Sequence, residues 1–499
     1  MMSKQIKRCL GLLLLLGLCL ATGAAGFAKH FAPVHSAPAL LPQQSVASSN
    51  TRNAAIVAAT AEVLKETSEI RELAVLRPVK SGAQSRAAIE QMLIRNLDEQ
   101  VTPSEMHATE VSLKKFGLAP DDFQYRPFII KLLTEQVAGY YDPKVQKFNL
   151  ADWLEVEGQK PVMAHELTHA LQDQHFNLRR FENWPHGDSD AQLAAHSLVE
   201  GDATLAMTIY MARNPLVALA FSRSLLTGVA TEQYNQAPRA IRESLIFPYL
   251  QGSEWATQLF KRGGWTMVSN AFTKLPLSTE QILHPEKYFE YERPVKVVLP
   301  DLTSVLNGKL QTSAHRSNGQ RPAGTAGVSP ASTHAGSLSP VTSQSKAHRP
   351  LPSSSWRRID SDVNGEWSYY LILDQFLKAP AESKRAAAGW AGDRYAVYEG
   401  PNNQVFIAQL SVWDTEKDAR EFFDAYVKRT KLRYPEAKEL VVPNAEGATQ
   451  NSKAEARNSF SWQTEEGAVT IELRGLRVMV IEGVPANADS SALINLLQP

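Results

Sequence analysis

The chain has 499 residues, with 52 basic and 52 acidic side chains, a formal net charge of zero and only two cysteines. Balanced charge with no basic stripe excludes a nucleic-acid binder that works through phosphate contacts. The length is ample for a large core and for two folded units.

Residues 1–28 read as an export signal peptide. Lys4, Lys7 and Arg8 form a basic start, residues 10–20 an apolar run, and Gly23-Ala24-Ala25 or Gly26-Phe27-Ala28 a small-residue cleavage site. The run is short for a membrane span and no later stretch approaches one, so the expectation is a periplasmic or extracellular protein with no span after cleavage. Cys9 and Cys19 both fall inside the signal. The mature chain would therefore hold neither disulfide nor thiolate metal site, leaving histidine and carboxylate as the only metal donors.

Residues 29–52, with Pro33, Pro38 and Pro42, read as a flexible leader. Helices are predicted over 53–73, 87–100, from the Thr102-Pro103-Ser104-Glu105 cap to just before Gly117, and over 128–137. Residues 138–144 then read as a turn and 145–151 as a strand with Phe148 and Leu150 on one side.

His165-Glu166-Leu167-Thr168-His169 follows, in a stretch without Gly or Pro from 162 to 176 whose Met163, Leu167, Ala170 and Leu171 form an inward stripe. Histidines four apart leave one helix face and can close on one ion. Glu166 lies about 100° further round, within reach of a water at that ion. Chance supplies about 0.02 such pentads in a chain of this composition, so the motif outweighs a reading as two surface histidines.

Two histidines leave a catalytic metal one protein ligand short. Glu200, in the helix predicted over 190–213, is the expected third ligand, with His196 one turn earlier as its rival. Gly201 costs that helix about 1 kcal/mol relative to Ala, which close approach of two helix backbones would offset. Asp202 and Asp173 are candidates to orient a ligand histidine. His175 sits off the ligand face as a helix-end cap, and His186 falls in a loop. For a donor to a developing oxyanion, His284 and Tyr288 are the first candidates and Tyr140 and Tyr141 the next.

Residues 214–300 read as further helix and loop. Residues 305–357 collapse to Ser, Thr, Pro, Gly and Ala and read as a disordered linker or insertion, in which His315, His334 and His348 are too dispersed to form a metal tract. Beyond it, a helix over 367–377, strands over 395–398 and 404–413, a helix from the 414–418 cap to about 431, a hairpin of 469–473 with 477–482 and a helix over 490–497 describe a smaller α+β unit, 358–499.

Gly139-Tyr140-Tyr141-Asp142-Pro143, the 165–174 segment, Glu200-Gly201-Asp202-Ala203, Phe247-Pro248-Tyr249 with Gly252, the 279–288 segment and Gly389-Trp390-Ala391-Gly392-Asp393-Arg394 together resemble a set of zincin-like exported proteins of bacteria and haloarchaea. The metal portion is similar to gluzincin metallopeptidases. The resemblance implies zinc on His165, His169 and Glu200, Glu166 as general base, and an edge strand just before the zinc helix that pairs with an extended substrate. Thermolysin-like members carry Asp four residues after the ligand Glu; here that position is Thr204.

The resulting expectation is an α+β protein: a mainly helical zincin-like domain, 53–304, with a small edge sheet, followed by the α+β unit. Its expected work is hydrolysis of peptide or protein substrates with zinc. The alternatives are an envelope or surface binding protein that keeps zinc as a staple, and a binding module at residues 389–394 whose Trp390, Tyr395 and Trp413 form a stacking surface.

Overall fold

Apolar residues at three- and four-residue spacing make the first half of the chain helical. In the segment Arg86–Gln100, for example, Ile89, Met92, Leu93 and Leu97 are the buried positions. The computed structural model describes residues 46–182, 184–185, 187–228, 232–308, 355–440, 457–486 and 488–497. The expected signal, most of the leader, residues 309–354 of the expected linker (His315, His334 and His348 among them) and His186 lie outside the described residues.

In chain order come α1 (Val46–Arg71), β1 (Lys80–Gln84), α2 (Arg86–Gln100), α3 (Pro103–Lys115), α4 (Tyr125–Gln136), β2 (Gly139–Asp142), β3 (Lys147–Ala151), α5 (Val156–Phe176), α6 (Arg179–Glu182), α7 (Ser189–Arg213), α8 (Pro215–Gly228), α9 (Glu232–Gln236), α10 (Arg239–Ala271), α11 (Thr279–Leu283), α12 (Pro285–Glu290) and α13 (Thr303–Leu306). The remainder is β4 (Arg357–Asp362), α14 (Gly365–Leu377), α15 (Pro380–Ala387), β5 (Trp390–Glu399), β6 (Val405–Trp413), α16 (Glu416–Arg433), β7 (Lys438–Glu439), β8 (Ser459–Thr464), β9 (Gly467–Arg474), β10 (Arg477–Val484) and α17 (Ser490–Leu496). The protein is α+β, with a helical N-terminal region and a C-terminal sheet unit. No single helix among the described residues is long and apolar enough to cross a membrane.

The small sheet has the order β1-β3-β2, with β1 parallel and β2 antiparallel to β3. This corrects two expectations. Residues 139–142, read as a turn, form a strand; the turn is confined to the residues between Asp142 and Lys147. The 145–151 strand, expected to offer an edge, is central and paired on both sides, so the edge beside α5 belongs to β2. The helix of the histidine pentad also starts earlier than expected and carries Pro161 inside it.

The C-terminal sheet, β4-β5-β6-β10-β9-β8-β7, is antiparallel throughout. The expected hairpin is β9–β10. Trp390, Tyr395 and Trp413 are buried as core aromatics, the reading their sequence favours over a stacking surface, with Trp413 against Phe422 at 4.3 Å. Both ends of the expected 305–357 linker carry structure: α13 reaches Leu306, β4 begins at Arg357, and Trp356 packs on Phe406.

The two parts share one apolar cluster, running from Ile56 through Leu167 and Tyr369 to Val480. Buried polar contacts cross the same boundary. Arg429 of α16 pairs with Glu482 at 2.9 Å and donates to the Phe116 carbonyl at 2.8 Å. Glu482 also accepts from Arg433 and Tyr426. Breaking a buried pair from one side strands a charge, at about 3–5 kcal/mol. Arg429→Met is accordingly expected to lower stability by about that amount. Because the core is shared, near-UV signals from both parts should fall in one denaturant transition; two separated transitions would show independent domains.

Candidate metal centre

α5 places His165 and His169 one turn apart, and their Nε2 atoms lie 3.1 Å from each other. Glu200 Oε2, from α7, lies 3.1 Å from His165 Nε2 and 3.4 Å from His169 Nε2. Three donors on a tetrahedral ion with bonds of about 2.0–2.1 Å sit about 3.4 Å apart, so the observed triangle fits a small divalent metal. Glu200 Oε1 has no hydrogen-bond partner among the described residues, an orphaned buried acceptor of the kind a cation satisfies.

His165, Glu166 and His169 form a second, looser grouping within 4.8 Å. Glu200 completes the tighter triangle, and Glu166 is turned elsewhere: its Oε2 accepts the Tyr141 backbone N–H of β2 at 2.9 Å, while Oε1 is unpartnered. Burial pushes the Glu166 carboxyl up to about 8, against the pull of His169. Burial likewise resists charge on Glu200 and His169, but their mutual attraction wins, holding Glu200 at about 2 and raising His169 to about 9. His165, where burial dominates, is lowered.

A chain of hydrogen bonds fixes the tautomer of His169. The Gln172 amide NH₂ donates to the Val199 carbonyl at 3.0 Å and to Asp202 Oδ2 at 2.8 Å. Its oxygen must therefore face His169 Nδ1, 2.8 Å away, so Nδ1 carries the proton and Nε2 is left as a donor to metal. Asp202 is held in turn by Arg71 of α1 at 2.5 Å, both side chains fully buried, and Arg71 rests on the Trp265 ring. Asp202 thus acts on His169 through Gln172 rather than by direct contact.

Gly201 explains how Glu200 reaches the histidines. A Cβ there would lie 2.2 Å from the Gly252 backbone of α10, and one on Gly252 would lie 2.3 Å from the Ser197 carbonyl. The two helices touch backbone to backbone. This contact, one turn past Tyr249, stacks the Tyr249 ring on His165 at 5.8 Å and sets its hydroxyl against Glu200, where burial and the nearby carboxylates raise its pKa. Sequence reasoning quoted Tyr249 and Gly252 only as part of a resemblance and gave Tyr249 no role. The available signal was a second helix glycine one turn after a tyrosine.

Other expected residues lie elsewhere. His284 Nε2 is 2.9 Å from Glu366 of α14, whose hydrogen bond raises the histidine pKa. The Tyr288 hydroxyl donates to the Lys274 carbonyl, and its ring packs on Trp255. Both are engaged in joining α10–α14 rather than in the centre, which corrects their assignment as oxyanion donors. Tyr140 and Tyr141 donate their hydroxyls to Gln84 and Asp173. Asp173 therefore serves Tyr141, Arg77 and the Leu178 N–H, not a ligand histidine. His175 bonds the Ala74 carbonyl instead of capping its own helix. His196, the rival ligand, is buried with both ring nitrogens unpartnered among the described residues and is lowered to about 4 by burial.

Residues 353–493 match a family model described as a domain of unknown function, DUF8575. No curated protein and no solved structure matches the chain.

Two substitutions probe the geometry. Gln172→Leu frees the His169 tautomer and is expected to weaken metal binding roughly 10- to 100-fold in chelator competition. Gly252→Ala should force α7 from α10, costing about 1–3 kcal/mol in urea unfolding and weakening metal binding too.

Proposed function

We propose that the protein is an exported zinc-dependent metallopeptidase with a gluzincin-like centre, His165, His169 and Glu200 holding the zinc. The observation that carries this reading is the 3.1–3.4 Å triangle of two imidazoles and a carboxylate beside the free oxygen of Glu166. Two nitrogens and one oxygen, without thiolate, is a donor set used by catalytic zinc. Zinc bound there would act as a Lewis acid, polarising a peptide carbonyl and making a water easier to deprotonate.

The remaining chemistry belongs to the chain. Glu166 combines a proton affinity raised by burial with an unpartnered oxygen, the properties of a general base that takes a proton from water and returns it to the leaving amine. Its other oxygen is steadied by the Tyr141 N–H, so the base is aimed from the strand edge. Beyond Glu166, β2 has no further strand partner among the described residues. That edge supports backbone pairing with an extended peptide. Tyr249 and Gln172 hold the ligands in place. The four central side chains are at most about 2% exposed, which keeps bulk water from the base.

The test is hydrolysis of a casein or peptide-library substrate by purified protein with its zinc content measured in parallel. Glu166→Gln should keep about one zinc per chain and lose activity by about 10²–10⁴-fold. Full activity in Glu166→Gln, or loss of activity only together with zinc, would remove Glu166 from the role of base. His165→Ala should lose both.

A further inference from the structure

A cavity of about 570 Å³ opens to solvent at the C-terminal end of α5, lined by Arg77, Arg179, Arg180, Asp173, Phe272 and Gln146 among others. Its charge is unbalanced. Asp173 is spent on Tyr141, the Leu178 N–H and Arg77. Arg179 and Arg180 have no carboxylate partner among the described residues; Arg180 donates only to the Phe272 carbonyl and lies over the Phe181 ring.

The cavity is built, not a chance gathering of surface arginines. Gln174 accepts from the Leu76 and Arg77 N–H groups at 2.7 and 3.0 Å and donates to the Arg77 carbonyl at 3.0 Å, locking that segment. His175 clasps Ala74 beside it. The Phe272 ring stacks on Phe176 at 4.2 Å. Asn177 turns the chain out of α5 with φ 57°, which brings α6 and its two arginines round to the opening.

Two paths lead from Glu166 to this cavity. Along α5, Asp173 is two turns on, about 10 Å away, the length of about three residues of extended peptide. Along the sheet, β2 runs from Tyr141, which touches Glu166, toward the turn that contributes Gln146 to the lining. A peptide paired with the β2 edge would carry its backbone to the arginines.

We propose that this cavity is a specificity subsite for a peptide carboxylate, either an acidic side chain about three residues from the cleaved bond or a free C-terminus. Guanidinium groups suit carboxylates because planar paired N–H donors match two oxygens. The proposal rests on the peptidase reading for its role in cleavage, and its binding chemistry is tested apart from cleavage.

The experiment uses the full-length Glu166→Gln protein loaded with zinc and fluorescein-labelled peptides in matched pairs, Glu against Gln at the third residue either side of the centre, and free acid against C-terminal amide. At least one acidic partner is expected to bind roughly tenfold tighter than its neutral twin by anisotropy. The pair that shows the difference identifies the source of the carboxylate. Arg179→Ala with Arg180→Ala, both exposed positions, should abolish that difference while leaving zinc content unchanged. Equal binding of every pair, or a preference that survives the double substitution, overturns the subsite. If the parent protein hydrolyses no peptide yet the arginine-dependent preference is seen, the cavity stands and the hydrolytic reading falls.

Discussion

Everything at the centre depends on one buried carboxylate being brought between two buried imidazoles. Glu200 is enclosed, and an unpaired carboxylate there would be expensive. It is tolerated because His165, His169 and Tyr249 surround it. That arrangement requires α7 and α10 to meet at their backbones, which Gly201 and Gly252 alone permit. The cost of a helix glycine is thus offset by contact that no side chain could make. From Glu200 outward, polar groups are satisfied in sequence: His169 by Gln172, Gln172 by Asp202, and Asp202 by Arg71 on the first described helix. The chain from His169 to Arg71 behaves as a unit, and Glu200 Oε1 is the acceptor it leaves open.

The C-terminal sheet unit belongs to the same construction. Helix α7, which carries Glu200, begins at Ser189, whose N–H and hydroxyl both bond Asp362 of β4. The preceding Gly187 carbonyl accepts from Arg394 of β5. Asp190 reaches Thr279 and lies so close to Gly365 that a Cβ there would sit 1.7 Å from its oxygen. Gly365 adopts φ 73°, so glycine is favoured by conformation as well as by space. The matched segment 353–493 therefore anchors the helix that delivers Glu200, and the candidate centre and the sheet are mechanically one piece.

The site was legible where chemistry forces a local pattern. Two histidines four apart and a glycine in a good helix announce a pair of imidazoles on one helix face and a close helix contact from the sequence alone. His284 and Tyr288 were misread because residue type near a motif says nothing of direction; the fold turns them to Glu366 and to the Lys274 carbonyl. Tyr249 was passed over for the converse reason, since its place is set by a backbone contact formed far along the chain. In the sheets, the β9–β10 hairpin was readable from its alternating apolar residues. β4, whose partner β5 lies beyond two helices, and β8, whose short run carries only Phe460 and Trp462 as apolar residues, were not. β2 was mistaken for a turn because the strand, only four residues long, opens on Gly139 and stops just before Pro143.

That short strand is tied to the helix of the histidine pentad at the carboxylate of Glu166. Tyr141 makes two contacts with α5: its N–H steadies Glu166, and its hydroxyl reaches Asp173 two turns further along. One residue thus pins β2 to α5 at two points. A strand so pinned cannot slide in register without withdrawing a hydrogen bond from a buried carboxylate, which is among the costlier losses a protein interior can suffer. The edge is therefore held at a fixed height over Glu166. The two tyrosines of Gly139-Tyr140-Tyr141-Asp142 divide the labour: Tyr140 ties the strand to Gln84 of β1, and Tyr141 ties it to α5.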